Sequence, residues 1–336
     1  MKKVLTKFQV PLLITVALLV ILGSLLLTGK SIPAALSQLI TGSLGSTNAL
    51  SGSLREAAPL LILGAVVFLA LKAGLFNIGA EGQFLVGACF GSFFVFKVPG
   101  PLGVVAGCIA GALAGALWAL PAGWIRAYRN GHEVITTIML NAVAINLTKA
   151  IVAGPMKGAD QNSPSTSLLA QSSRLTPLFK IGNFEFPQSV VLGIIIIIGL
   201  AWWLKKTTAG YELRATGANS TAAEFAGINT RRTMMNAMVV SGAIAGLAGV
   251  LQVTQFEGRF YDGFSPGYGF DALGVALLAG GSPLGIFISA LFFGILNKGG
   301  SSLSILGIDR GITTVILSMV ILIFAAVRYS KKKVEG

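Results

Sequence analysis

The chain has 336 residues, of which 54% are hydrophobic and only 11% charged. Its mean hydropathy is +0.80. A soluble domain carries about 25% charged residues, so this composition excludes a soluble enzyme, a secreted disulfide scaffold and a disordered chain. The net charge of +13 does not make a nucleic-acid binder, because Lys and Arg are scattered in short segments between apolar runs. The 43 glycines suit membrane helices, where small residues let backbones approach closely. The composition therefore predicts an all-α polytopic membrane protein.

In chain order, ten apolar runs are predicted to cross the membrane: 10–28, 57–71, 84–97, 101–125, 134–153, 188–204, 234–256, 270–281, 284–297 and 311–328. The run at 270–281 is short for a crossing. The first run follows Lys2, Lys3 and Lys7 like a signal peptide, but it is too long for an h-region and lacks an A-x-A site, so it reads as a retained anchor. With the N-terminus in the cytoplasm, alternation places Lys72, Arg126, Arg129, Lys205, Lys206, Arg214, Arg231, Arg232, Arg328 and Lys331–Lys333 inside, together with the N-terminal lysines. That satisfies the positive-inside rule and puts both termini in the cytoplasm, with a long extracytoplasmic loop at 154–187.

An offset of 182 residues carries Pro101-Leu102-Gly103 onto Pro283-Leu284-Gly285. The same offset carries run 57–71 into the seventh run and run 84–97 over the eighth. Five crossings separate the partners, which predicts a five-plus-five inverted-topology repeat within a single transmembrane domain over 1–336: about 10–153, then about 188–328. Transporters built this way place substrate near the midplane. The offset also pairs two glycine-broken segments, Gly74–Gln83 and Phe256–Ser265.

Several residues in these segments are candidates for function. Glu81, between Gly79 and Gly82, is either a pathway carboxylate, as an acid near hydrocarbon suggests, or an interfacial cap. Glu133, Thr137 and Asn141 share one helix face by i, i+4 spacing, for interhelical hydrogen bonds or for a pathway. Asn77, Gln83, Phe256 and Phe270 complete the candidate pathway; Phe256, Phe260 and Phe270 are each able to stack on a base or simply to pack. Cys89 and Cys108 lie in apolar runs, and the lone His132 has no companion ligands for zinc.

The inner loop 205–233 contains Thr221-Ala222-Ala223-Glu224, a capping-box pattern, and Gly227 stands where a helix would stop. A very short cytosolic helix is marginal alone and needs a docking partner. Gly29-Lys30-Ser31 has the wrong spacing from Gly23 for a P-loop, so any ATP that drives transport is bound by another subunit.

Taken together, Gly74-Leu75-Phe76-Asn77-Ile78-Gly79-Ala80-Glu81-Gly82-Gln83, Glu133-Val134-Ile135-Thr136-Thr137-Ile138-Met139-Leu140-Asn141, Ser241–Gly249 and the stretch from Arg214 to Ile228 resemble the permease subunits of ABC importers for simple sugars and nucleosides. Ribose and branched-chain amino-acid permeases belong to the same wider group. The likeness covers about 56–328 and is nearest the nucleoside branch. It implies a bacterial cell-membrane complex of two permeases (here a non-identical pair), ATPase subunits that hold ATP and Mg, and an extracytoplasmic binding lipoprotein that delivers a nucleoside. This chain itself would bind no cofactor. The resemblance further implies that loop 205–233 holds the coupling helix, with Arg214, Gly217, Asn219, Ala222, Ala223, Gly227 and Ile228, and Glu224 beside them, at the ATPase. A ribose or other sugar permease is the alternative. A stand-alone channel or ion-coupled carrier would need more intramembrane charge. An intramembrane enzyme would need a nucleophile–base pair or metal ligands that the runs do not offer.

Overall fold

The computed structural model describes residues 31–159 and 162–309, with scattered positions between 15 and 29 and between 311 and 323. Most of the predicted first crossing at 10–28 and of the last at 311–328 lies outside the described residues. Eleven α-helices are described: α1 Ile32–Leu44, α2 Thr47–Lys72, α3 Ala80–Lys97, α4 Pro101–Arg129, α5 Glu133–Ala153, α6 Gln188–Lys206, α7 Thr208–Ala218, α8 Ser220–Phe225, α9 Thr230–Gln252, α10 Tyr268–Leu278 and α11 Pro283–Ser302.

Six helices are long and apolar enough to cross a membrane, counting α9 to Glu257 and α11 to Leu306: α2, α4, α5, α6, α9 and α11. They match six of the expected runs. The runs 84–97 and 270–281 fall instead on α3, with 18 residues, and α10, with 11. At 1.5 Å per residue, α10 rises only about 16 Å, half the hydrocarbon thickness. Helix α3 carries Glu81 and Gln83 in its first turn, which lowers its hydropathy, whereas α10 is apolar but short. Helix α1 was not expected. It lies against α11, where the Ser302 hydroxyl donates to the Gln38 carbonyl at 3.0 Å.

Local chemistry explains the boundaries. Pro101 and Pro283 open α4 and α11, where a missing amide costs nothing. Ser46 caps α2 by accepting from the Ala49 amide. Asn130, with φ 52°, closes α4, and Gly258, with φ 68°, closes the π-helical turn Val253–Glu257 that ends α9.

Helix α2 is central; every residue from Ala57 to Ala70 is buried. Helix α4 turns a strip of small residues inward: Gly103 and Gly107 lie against α3 and its C-terminal end, and Gly111, Gly115, Ala119 and Gly123 against α9. A Cβ placed on Gly246 would overlap the Gly111 carbonyl, and one on Gly242 the Gly115 carbonyl. The two backbones thus touch, and dispersion between them replaces the solvent-driven packing that lipid cannot supply. On its other side α4 exposes Leu102, Val105, Ile109, Leu113 and Leu117, a row at i+3 and i+4 spacing suited to acyl chains.

The close approaches also give helix directions. Gly111 lies by Gly246 and Gly123 by Met238, so α4 runs antiparallel to α9. Gly87 meets Gly246 and Gly91 meets Val250, so α3 runs parallel to α9. Arg55 pairs with Glu257, and Ser241 donates to the Val66 carbonyl, so α2 is antiparallel to α9. Gly64 faces Ile286 and Gly294 faces Ala57, which makes α11 antiparallel to α2. Tyr268 reaches Glu56 and Gly64 faces Val275, which makes α10 parallel to α2.

The segment 154–187 holds a short antiparallel hairpin, β1 Phe179–Ile181 with β2 Phe184–Phe186, in which Phe179 lies opposite Phe186. It is not a free loop. The amides of Thr166, Leu169 and Leu175 donate to the carbonyls of Phe260, Gly258 and Thr254, which binds it over the second glycine-broken segment.

Candidate functional site

The first broken segment begins where Gly74, with φ +76°, ends α2. Asn77 is fully buried. Its Oδ1 accepts from the Gly79 amide at 3.0 Å, and its Nδ2 donates to Gln83 Oε1 at 3.0 Å and to Ser241 Oγ at 2.8 Å. From α5, Asn141 Oδ1 accepts from the Gly82 amide at 2.9 Å, and its Nδ2 donates to the Ile78 carbonyl at 2.9 Å. Glu133 sits 3.3 Å from Arg126. Glu133, Thr137 and Asn141 are all on the buried face of α5, as their spacing predicts, and Asn141 and Glu133 turn to residues 76–82. Buried backbone groups need partners; among the described residues, the Gly82 amide and the Ile78 carbonyl find theirs in this side chain.

Glu81 is 3% exposed. Its Oε2 accepts from the Gly269 amide at 2.7 Å, at the N-terminus of α10. A carboxylate is favoured there by the unpaired amides of the first helical turn. Phe84 stacks on Phe264, with ring centroids 5.4 Å apart, and meets Tyr268 edge-on at 6.2 Å. Glu81 of the first glycine-broken segment thus reaches the helix that follows the second, and Phe84, just after the first, stacks on Phe264 of the second.

The remaining expected pathway residues lie apart. The Arg55 guanidinium stacks over the Phe256 ring, 5.2 Å from its centroid, and Phe270 is exposed on α10. Between α2, α9, α10 and α11 lies a polar cleft of about 670 Å³ that sequence reasoning missed. Tyr268 donates to Glu56 Oε2 at 2.9 Å, Tyr261 to Glu257 Oε2 at 3.1 Å, and Asn297 Nδ2 to Asp271 Oδ2 at 3.1 Å. Arg55 bridges to Glu257 at 2.9 Å, and Lys298 also lines the cleft. Burial and the adjoining Glu257 carboxylate hold the Tyr261 phenol above its ordinary pKa. These residues stand at the edges of the apolar runs, where a charge reads as a loop; only the pairing of run ends would have revealed them.

In the segment 205–233 the structure holds two helices, α7 and α8. The expected capping box on Thr221 and Glu224 does not form. Asn219 caps α8 instead, its Oδ1 accepting from the Ala222 amide at 3.0 Å, and Glu224 accepts from the Thr230 hydroxyl at 2.6 Å. Asn is the stronger N-cap, so the helix starts earlier than the box predicts. Gly227, with φ +85°, follows the end of α8 as expected. Arg214, Asn219, Ala222, Glu224 and Gly227 are exposed, Gly217 and Ile228 half-buried, and Ala223 buried. Gly217 abuts the end of α2, so close that a Cβ there would overlap the Lys72 carbonyl. Phe225, not singled out by sequence, is 90% exposed.

A helical bundle with lipid-facing apolar rows, broken helices meeting inside it and a short capped stub outside it defines a polytopic membrane protein of the transporter kind. Residues 49–326 match the family described as the permease component of branched-chain amino acid transport systems, and the chain belongs to that family. It is 33% identical to the guanosine ABC transporter permease protein NupP of Bacillus subtilis, over 100% of this chain and 98% of the relative. It is 32% identical to the glucose ABC transporter permease protein TsgB13 of Haloferax volcanii, over 97% of this chain and 89% of the relative. Against the nucleoside ABC transporter permease protein NupB of Lactococcus lactis it is 31% identical, over 87% and 82%. No solved structure matches the chain. The family resemblance read from the motifs is thus met.

Proposed function

We propose that this permease is the transmembrane subunit of an ATP-driven ABC importer of nucleosides. The end-to-end likeness to the guanosine permease NupP, joined by the nucleoside permease NupB, carries the reading. The comparable likeness to TsgB13 supports glucose or another simple sugar as a second reading. The chain works as one transmembrane domain in the cell membrane, with both termini cytoplasmic and the segment 154–187 outside. ATP and Mg belong to partner ATPase subunits, and a binding lipoprotein delivers the substrate. The second permease is a different chain, a reading supported by Lactococcus lactis, whose NupB and NupC both match this sequence.

The ten-crossing, five-plus-five inverted repeat is supported by helix placement. Shifting α2 by 182 residues gives 229–254, against 230–257 for α9 with its terminal turn. Pro101 and Pro283 open α4 and α11. An inverted repeat requires each offset pair to run in opposite senses, and α2 with α9, α3 with α10, and α4 with α11 do so by the approaches given above. The packing also exchanges consistently: α4 rests on α9 as α11 rests on α2.

In this mechanism the stub α7–α8 is the coupling element. Arg214, Asn219, Ala222, Glu224 and Gly227 meet the ATPase, Phe225 is its apolar anchor, and Gly217, Ala223 and Ile228 hold the stub to its own chain. ATP binding shifts the stub, and the two halves tilt about the junction of the broken segments. Asn77, Gln83, Glu133 and Asn141 keep the first segment in shape, Glu81 ties it to the second half, and Phe256 and Phe270 flank the second segment. Any such shift requires the substrate to bind the two states unequally. The test is uptake of labelled guanosine in cells lacking other nucleoside carriers. Deleting this chain should abolish ATP-dependent uptake; undiminished uptake refutes the proposal.

A further inference from the structure

The hairpin β1–β2 sorts its side chains by face. Opposed residues of an antiparallel pair share a face, and successive residues alternate. The register pairs Phe179 with Phe186, Lys180 with Glu185 and Ile181 with Phe184. Phe179, Ile181, Phe184 and Phe186 therefore share one face. The other holds Lys180 and Glu185, which form an ion pair at 2.6 Å. A two-stranded hairpin is marginal in water unless its apolar face is covered. Among the described residues the bundle covers only part of it: Phe186 packs against the core, whereas Phe179 is 44% and Ile181 70% exposed. We propose that the bilayer covers this face. The hairpin is an interfacial anchor whose apolar side chains sit among the headgroups and upper acyl chains, with the Lys180–Glu185 pair turned to water. The proposal rests on the membrane-spanning bundle and is independent of what is transported.

Two attachments fix the depth. The Glu185 amide donates to Ser51 Oγ at 2.7 Å, near the start of α2. From Ser51 to Ala57, where the apolar run of α2 begins, the helix rises about 9 Å. On the other side, Pro187 alone separates β2 from α6, a helix long and apolar enough to cross. The headgroup layer on each side of a bilayer is about 5–8 Å thick, so both attachments hold the ribbon at that level. Along α6 the exposed apolar surface continues with Leu192, Ile195, Ile198 and Trp202. Size argues against a protein as the occupant. Each side of a stable protein interface contributes about 800 Å² from about 20–30 residues, which two strands of three residues do not supply. An interfacial segment needs only a few aromatic and aliphatic groups at headgroup depth. Nor does the apolar face hold a charge by which a soluble partner would be steered.

The test uses the full chain, with Cys89→Ala and Cys108→Ala, in nanodiscs of phosphatidylcholine and phosphatidylglycerol. A nitroxide is attached at Ile181→Cys or, on the opposite face, at Lys180→Cys, which gives up only an exposed ion pair of little worth. Phe184→Cys is the second reporter of the apolar face should the first not assemble. Power-saturation electron paramagnetic resonance compares collisions with oxygen, which concentrates in the acyl region, and with a neutral water-soluble nickel chelate. The oxygen-to-nickel ratio should be at least about threefold higher at 181 than at 180, as expected for an apolar face sunk below the headgroups. Equal ratios at the two positions put the apolar face in water and overturn the proposal. Shielding of 181 from both reagents means that protein covers it and overturns the proposal as well. A higher ratio at 180 than at 181 overturns the assigned orientation.

Discussion

Replacing Asn141 by Ala should destabilise the protein far more than replacing Asn146 on the same helix. Asn141 supplies both partners of two buried backbone groups, the Gly82 amide and the Ile78 carbonyl, each at 2.9 Å. Gly82 lies in the first turn of α3, where helices leave their amides unpaired, so neither group has a substitute. An unsatisfied buried group costs about 1–3 kcal/mol, although interhelical hydrogen bonds in membranes average nearer about 0.6 kcal/mol because the reference state finds other partners. Two groups bonded to backbone, deep in the bundle, place the cost at about 2–4 kcal/mol. Asn146 is exposed and bonds only the Ala142 carbonyl of its own helix, so its loss is worth about 0–0.5 kcal/mol. With about 2 °C per kcal/mol for a chain of this size, Asn141→Ala should melt about 4–8 °C lower in nanodiscs, and Asn146→Ala within about 1 °C of the parent. Equal melting temperatures for the two variants would refute the claim that Asn141 holds the first broken segment in shape.

Further perturbations separate the other parts of the reading. Gly246→Leu drives a side chain into the Gly111 carbonyl and should prevent recovery of folded protein, by overpacking of at least about 3 kcal/mol, whereas Gly199→Leu, with open space around it, should purify normally; size-exclusion profiles decide. Asn219→Ala should lower stability by about 1 kcal/mol and Thr221→Ala by almost nothing, since Asn219 makes the cap; the reverse order in thermal melts would restore the capping box. Phe225→Ala should weaken ATPase co-purification by about 2 kcal/mol, roughly 30-fold, with membrane insertion intact; unchanged association means that the exposed ring is not an anchor. Glu81→Gln keeps one acceptor oxygen for the Gly269 amide and should melt within about 1–2 kcal/mol of the parent, while Glu81→Leu leaves that amide bare and should melt lower still.

Much of this architecture was legible in the chain itself. The run at 101–125 opens where α4 opens and the run at 284–297 one residue after α11 does, and the spacing of Glu133, Thr137 and Asn141 put them on one face, which is buried. What stayed hidden depended on partners far away in sequence. Hydropathy averages over a window, so it could not see that α10 stops after 11 residues or that α1 leans on α11. The capping box was a correct motif beaten by a better cap two residues earlier. Segment 154–187 read as a loop because its backbone bonds go to residues 254–260, which no local pattern announces. Glu56, Asp271 and Asn297 each looked like the end of a run, and only their convergence makes a cleft.

Gly74 and Gly217 meet back to back, with the Gly217 Cα 3.2 Å from where a Cβ of Gly74 would sit. No side chain stands between them to flex and absorb displacement. If the α7–α8 stub couples to an ATPase as proposed, a push delivered to it would reach the end of α2 directly, and from there the joint that starts α3. Adding even one methyl at either position would work like grit in a bearing: it would hold the two surfaces apart and, on the proposed coupling, open slack between the stub and the first broken segment.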